Sequence, residues 1–112
     1  MRPHLALALA IASEVVGTTA LKFADGFSNL APTAVVVVGY LGSFYFLGVT
    51  LEDLPVGLVY ATWSGVGIVG AVGAGVAFFD ESVDLAAVAG ILLLLTGVFV
   101  LNVYSESYSP AH

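Results

Sequence analysis

Three observations predict an all-α integral membrane protein of four transmembrane helices. Hydrophobic residues make up 60% of the 112-residue chain and charged residues only 9%, with a mean hydropathy of +1.08, far from the mixture of a soluble globular domain. The apolar residues gather into four runs, each close to the ~20 residues a helix needs to cross a bilayer. Short polar segments separate the runs and leave no length for an added soluble domain. The expected organisation is a single four-helix transmembrane domain over residues 1–112, with spans at about 5–21, 33–51, 58–79 and 85–104. Four helices of this size do not readily enclose a path and its walls, so a second copy is expected.

The first span, Leu5 to Leu21, opens behind Pro3, whose missing N–H costs nothing at a helix start. Met1-Arg2 and the apolar run imitate a signal peptide, but Glu14 interrupts the run and three more spans follow, so the segment is expected to remain. Glu14 is the candidate functional residue. An acid at membrane depth costs roughly 2.5–3.5 kcal/mol on insertion scales, so it faces protein or a water-filled cavity. Low dielectric disfavours the charged form of a carboxylate, and a group so placed can exchange a proton for a cation. Ala10, Ile11, Gly17 and Thr18, at helical spacing from Glu14, are mostly small and leave room for another helix or a ligand. Lys22 ends the span as an interface anchor.

Phe23 to Ala31 reads as a loop, and Pro32 restarts a helix for the span from Thr33 to Leu51. Val35 to Val38 would suit a strand in water, but a run this long and apolar is helical in a bilayer. Tyr40, Ser43, Phe44 and Leu47 share a helical face, with Tyr45 pointing elsewhere. Packing alone accounts for such a face as readily as ligand binding does. Glu52 to Gly57 is a turn in which Asp53 is the expected N-cap and Pro55 falls in the first turn of the next helix.

The third span, Leu58 to Phe79, sets Tyr60, Trp63 and Gly67 on one face, with Ser64 a turn beyond Tyr60. Its five glycines, Gly65, Gly67, Gly70, Gly73 and Gly75, permit close helix packing or a bend, and Gly65-Val66-Gly67 is the expected hinge. Asp84 is the expected cap of the fourth span, Leu85 to Tyr104. Ala86, Gly90 and Gly97 form a small-residue seam there that reads as a dimer interface. No chemistry is expected from this helix. Ser105 to His112 is a polar tail expected to be disordered.

With no cysteine there is no thiol chemistry, and His4 and His112 stand at opposite ends of the chain, so no metal site is expected. No cofactor motif occurs. Eight acids against Arg2 and Lys22 give a net charge of −6, which argues against nucleic acid as a partner and against anionic headgroups among the surrounding membrane lipid. Acidic loops nearly free of lysine also suit a cell of very high internal salt. Arg2 and Lys22 lie on opposite sides of the predicted topology and cancel as orientation signals. Opposite insertion of two copies would place two Glu14 carboxylates about one cavity near the midplane, as inverted repeats do within single chains. No nucleophile–base pair is present, so no enzyme is expected. A rotary proteolipid subunit also carries an intramembrane acid, but the Tyr60 and Trp63 pairing argues for a cation instead.

Glu14-Val15-Val16-Gly17-Thr18-Thr19 with Lys22-Phe23, the Tyr40-x-x-Ser43-Phe44 face, Tyr60 to Gly67 and the Gly90 to Gly97 spacing together resemble the small multidrug resistance transporters, in particular the members that export quaternary ammonium compounds. The resemblance covers nearly the whole chain. It implies an antiparallel, dual-topology homodimer in the cell membrane, a proton-coupled antiporter of lipophilic cations. Glu14 would be the site for which proton and substrate compete, Tyr40, Tyr60 and Trp63 the aromatic lining, and Ser43 a polar pocket residue. Gly65 and Gly67 would mark the helix bend, and Gly90 and Gly97 the dimer interface. Tyr45 stands where such proteins often have tryptophan, and the loops lack their usual arginines. Export of guanidinium or a small amine metabolite, and a non-transporting partner for a paralogous subunit, are the alternative readings.

Overall fold

The computed structural model describes residues 2–105. The chain forms α1 (Pro3–Phe23), α2 (Leu30–Leu51), α3 (Val56–Phe79) and α4 (Leu85–Val103), with no strand among the described residues. Each helix is long and apolar enough to cross a membrane. In water, apolar residues on every face would be a liability, but a lipid solvent requires them and obliges the backbone to satisfy its own hydrogen bonds. The protein is a multi-pass plasma membrane protein. Its polar tail from Glu106 to His112 lies outside the described residues.

Two compact units divide the chain at Thr50 and Leu51. The first holds α1 and α2. Arg2 is extended at the N-cap of α1 and Pro3 follows as its first residue, as expected. The connection is tighter than the sequence predicts. Asp25, Gly26 and Phe27 take left-handed φ values of 50°, 68° and 69°, a conformation that is costless only for the glycine. Asn29 closes this turn, its backbone N–H donating to the Ala24 carbonyl at 3.1 Å and its Nδ2 to Phe23 O at 3.0 Å. The side-chain amide thus serves a carbonyl in the last turn of α1. α2 therefore begins at Leu30 rather than Thr33. Pro32 becomes its third residue, where no intrahelical N–H is needed.

The second unit holds α3 and α4. Pro55, not Asp53, is the N-cap of α3, extended at φ −63° and ψ 144°. Capping by Asp53 would require Leu54 to be helical immediately before a proline, which the ring disfavours. α3 ends on Asp80 in the left-handed region, φ 57° and ψ 30°. The Glu81 side chain folds back over Gly75, occupying the space a Cβ there would need. Asp84 caps α4 as expected, accepting from the Ala87 N–H at 2.8 Å. α4 has no buried residue.

Candidate functional site

Glu14 sits near the middle of α1, half-buried, with one helical turn of Thr18 above it. The Thr18 hydroxyl donates to Glu14 Oε1 at 2.9 Å, and Thr18 Oγ1 itself lies 2.8 Å from the Tyr40 hydroxyl on α2. A threonine hydroxyl has one proton to give. Since Thr18 gives it to the carboxylate, Tyr40 must be the donor to Thr18. The result is a chain from Tyr40 Oη through Thr18 Oγ1 to Glu14 Oε1, with both protons directed toward the acid. Oε2 accepts no hydrogen bond from a described residue. One oxygen is held and the other is available.

Helix contact at glycine makes this reach possible. Gly17 and Gly39 are both buried, and α1 and α2 touch there backbone to backbone. Ser43, one turn past Gly39, is fully buried, and its hydroxyl has no hydrogen-bond partner among the described residues. An unmet buried donor is costly, so Ser43 is the polar atom of this unit most in need of a ligand or neighbour. The expected face of α2 divides in two. Ser43 is buried and Leu47 half-buried, whereas Phe44 is 65% exposed. At 100° per residue Phe44 lies a third of a turn from Ser43, too far round to follow it inward. Tyr45 is as exposed as Phe44, with its ring edge-on to Phe46.

In the second unit Tyr60 is 76% exposed and Trp63 half-buried. Trp63 Cδ1 lies 3.9 Å from where a Cβ on Gly67 would be, so Trp63 and Gly67 share a face at i and i+4. The Ser64 hydroxyl donates to the Tyr60 carbonyl at 3.0 Å. α3 is helical without interruption through Gly65-Val66-Gly67. Gly65 is needed for the approach of α4, because a Cβ there would come within 2.6 Å of Val98 Cγ2. Gly90 and Gly97 are different. Both are exposed, and a Cβ on either meets nothing within 4 Å. Gly97 lines a shallow groove of about 350 Å³ with Ala61, Ser64, Leu93, Leu94 and Leu101.

Three residues hold contacts here that the sequence did not point to: Thr18 was expected only as a small neighbour of Glu14, and Gly39 and Asn102 were given no role. Thr18 was detectable from its i+4 spacing to Glu14. Gly39 carried no signal beyond being a glycine beside Tyr40. Asn102, near the end of α4, donates through Nδ2 to Thr62 Oγ1 at 3.1 Å and to Val98 O at 2.9 Å. It ties α4 to the residue beside Trp63, a contact not expected of a helix read only as a dimer seam.

The profile of the family described as Small Multidrug Resistance protein matches residues 2–94. The multidrug transporter EmrE of Escherichia coli strain K12 is 42% identical over 107 residues, 96% of this chain and 97% of that protein. The quaternary ammonium compound-resistance protein QacH of Staphylococcus saprophyticus is 41% identical over 106 residues, 95% of this chain and 99% of that protein. The multidrug resistance protein EbrA of Bacillus subtilis strain 168 is 46% identical over 99 residues, 88% of this chain and 94% of that protein.

Proposed function

The chain belongs to the small multidrug resistance family, and from that premise we propose that it is a proton-coupled antiporter that exports hydrophobic and quaternary ammonium cations. The observation that carries this reading is Glu14, a carboxylate at mid-helix in an apolar span, held by Thr18 and through it by Tyr40. Quaternary ammonium ions have no N–H to donate, so charge and aromatic faces must recognise them. Glu14 supplies the charge. Tyr40, and Tyr60 and Trp63 of the second unit, supply the faces, each contributing on the order of 0.5–2 kcal/mol by cation–π attraction. Ser43, fully buried with its hydroxyl unmet, is the polar residue that a shift of α1 against α2 would bring to the cation.

Proton and cation neutralise the same carboxylate, so they compete. Two Glu14 side chains in one dry cavity would repel, and a proton or a drug relieves that repulsion. Alternating exposure of the cavity turns competition into exchange: protons enter as the cation leaves. The second Glu14 comes from a second copy in the opposite orientation. Gly90 and Gly97 support that assembly, since both are exposed and a Cβ on either would meet no described atom within 4 Å. Gly65 and Gly67 are the positions at which α3 would bend as access alternates.

Proton release from purified, detergent-solubilised protein on adding tetraphenylphosphonium tests the reading. Release that vanishes in Glu14→Gln is the expected result. Release on guanidinium but not on tetraphenylphosphonium would point to the small-amine alternative, and no release on either to an assembly partner.

A further inference from the structure

The hydrogen-bond chain that ends on Glu14 depends on how closely α1 and α2 approach. A Cβ on Gly39 would lie 2.9 Å from the Ser13 carbonyl oxygen and 3.0 Å from both Cα and N of Gly17, well inside the ~3.5–4.0 Å of a comfortable contact between carbons. These obstacles are backbone and cannot swing aside. The converse substitution is milder, because a Cβ on Gly17 would meet Tyr40 N and Val36 O at 3.5 Å. The crossing is therefore permitted by the missing side chain of Gly39 more than by that of Gly17. Tyr40 is the next residue, and its hydroxyl reaches Thr18 at 2.8 Å. Parting the helices by several tenths of an ångström takes that pair past the range of a good hydrogen bond.

We propose that Gly39 is a positioning residue of the Glu14 site: by letting the α1 and α2 backbones touch, it closes the chain from Tyr40 through Thr18 and holds Glu14 Oε1, leaving Oε2 for the cation. The inference rests on the reading of Glu14 as the substrate carboxylate. Without the Tyr40 donor, Thr18 turns freely and the carboxylate loses its fixed rotamer. Gly39 touches neither proton nor drug, and acts through Tyr40.

The test is tetraphenylphosphonium binding to purified protein, paired with the infrared C–O band of Tyr40, identified by its loss in Tyr40→Phe. Gly39→Ala is expected to weaken binding about two- to tenfold, the scale of one hydrogen bond between neutral groups, and to shift the tyrosine band toward a free hydroxyl. Gly39→Ala combined with Tyr40→Phe should bind no more weakly than the stronger single loss. Gly42→Ala, whose Cβ would sit 3.6 Å from Ser13 Oγ, is the matched control and should bind as wild type. Wild-type affinity or an unshifted band in Gly39→Ala, or full additivity with Tyr40→Phe, overturns the proposal. Unchanged binding in Glu14→Gln would instead sink the site reading on which it rests. Should the alanine variant not assemble, a through-space carbon cross peak between Gly17 Cα and Gly39 Cα in lipid-embedded wild type decides: its presence supports the crossing and its absence overturns it.

Discussion

In the proposed exchange a single carboxylate, Glu14, takes either a proton or a cation, and the amide of Glu14→Gln can do neither. That variant is expected to lose uphill uptake of tetraphenylphosphonium into proteoliposomes under an imposed proton gradient. Glu14→Asp keeps the charge on a shorter arm that no longer reaches Thr18 in the same geometry, so coupling should persist with an altered pH profile. Thr18→Val removes the donor that Glu14 Oε1 accepts and the acceptor for Tyr40 while keeping the volume. Losing a hydrogen bond to a charged group costs about 1.5–3 kcal/mol, so tetraphenylphosphonium affinity, read by equilibrium binding, should fall at least tenfold. An unchanged affinity would show that Thr18 plays no part in holding the acid. Glu14 stood out as a candidate in the sequence because a charge in an apolar run has few innocent explanations. Thr18 was legible only as a neighbour, since its bond to Tyr40 depends on a crossing between two helices that no local pattern records.

The helices themselves were readable, because length and hydropathy alone decide what can span a bilayer. Their ends were less so. α2 starts early because Asn29 completes the turn, and α3 starts on Pro55 because a residue before proline resists the helix. The joining of α3 to α4 was the least visible, for it depends on one amide and one glycine meeting across the pair. Asn102→Leu breaks the bond to Thr62, and such interhelical bonds in membranes are worth about 0.6 kcal/mol on average, up to about 1.7. Gly65→Leu should cost more, because Val98 already fills the space beside Gly65. Reversible unfolding in mixed detergent micelles should therefore rank Gly65→Leu below Asn102→Leu, and both below wild type. Equal stability of Gly65→Leu and wild type would mean that α4 does not approach α3 there. Asp84→Ala removes the cap on Ala87 and should cost about 1 kcal/mol in the same assay.

For the molecule as a whole, orientation in the membrane is the property on which the proposed dimer depends. Arg2 precedes α1 and Lys22 ends it, so the two basic residues flank the first span on opposite sides and give no positive-inside bias. A tag on the C-terminus should accordingly be found on both sides of the membrane. Added charge should break the balance. Two or three lysines near Glu52, in the turn between α2 and α3, should draw that side to the cytoplasm, and the same number near Asp80, between α3 and α4, should do the opposite, since those turns lie on opposite ends of α3. Either biased variant expressed alone supplies copies of one orientation and should give little drug resistance. Expressed together they supply one of each and should restore it, because the proposed cavity takes one Glu14 from each orientation. Gly97→Leu in both should block that rescue, because a bulky side chain at an exposed position, where a Cβ meets no described atom within 4 Å, would then hold the copies apart. Full resistance from a variant shown to be inserted one way only would exclude the antiparallel pair and require two Glu14 residues brought together in parallel.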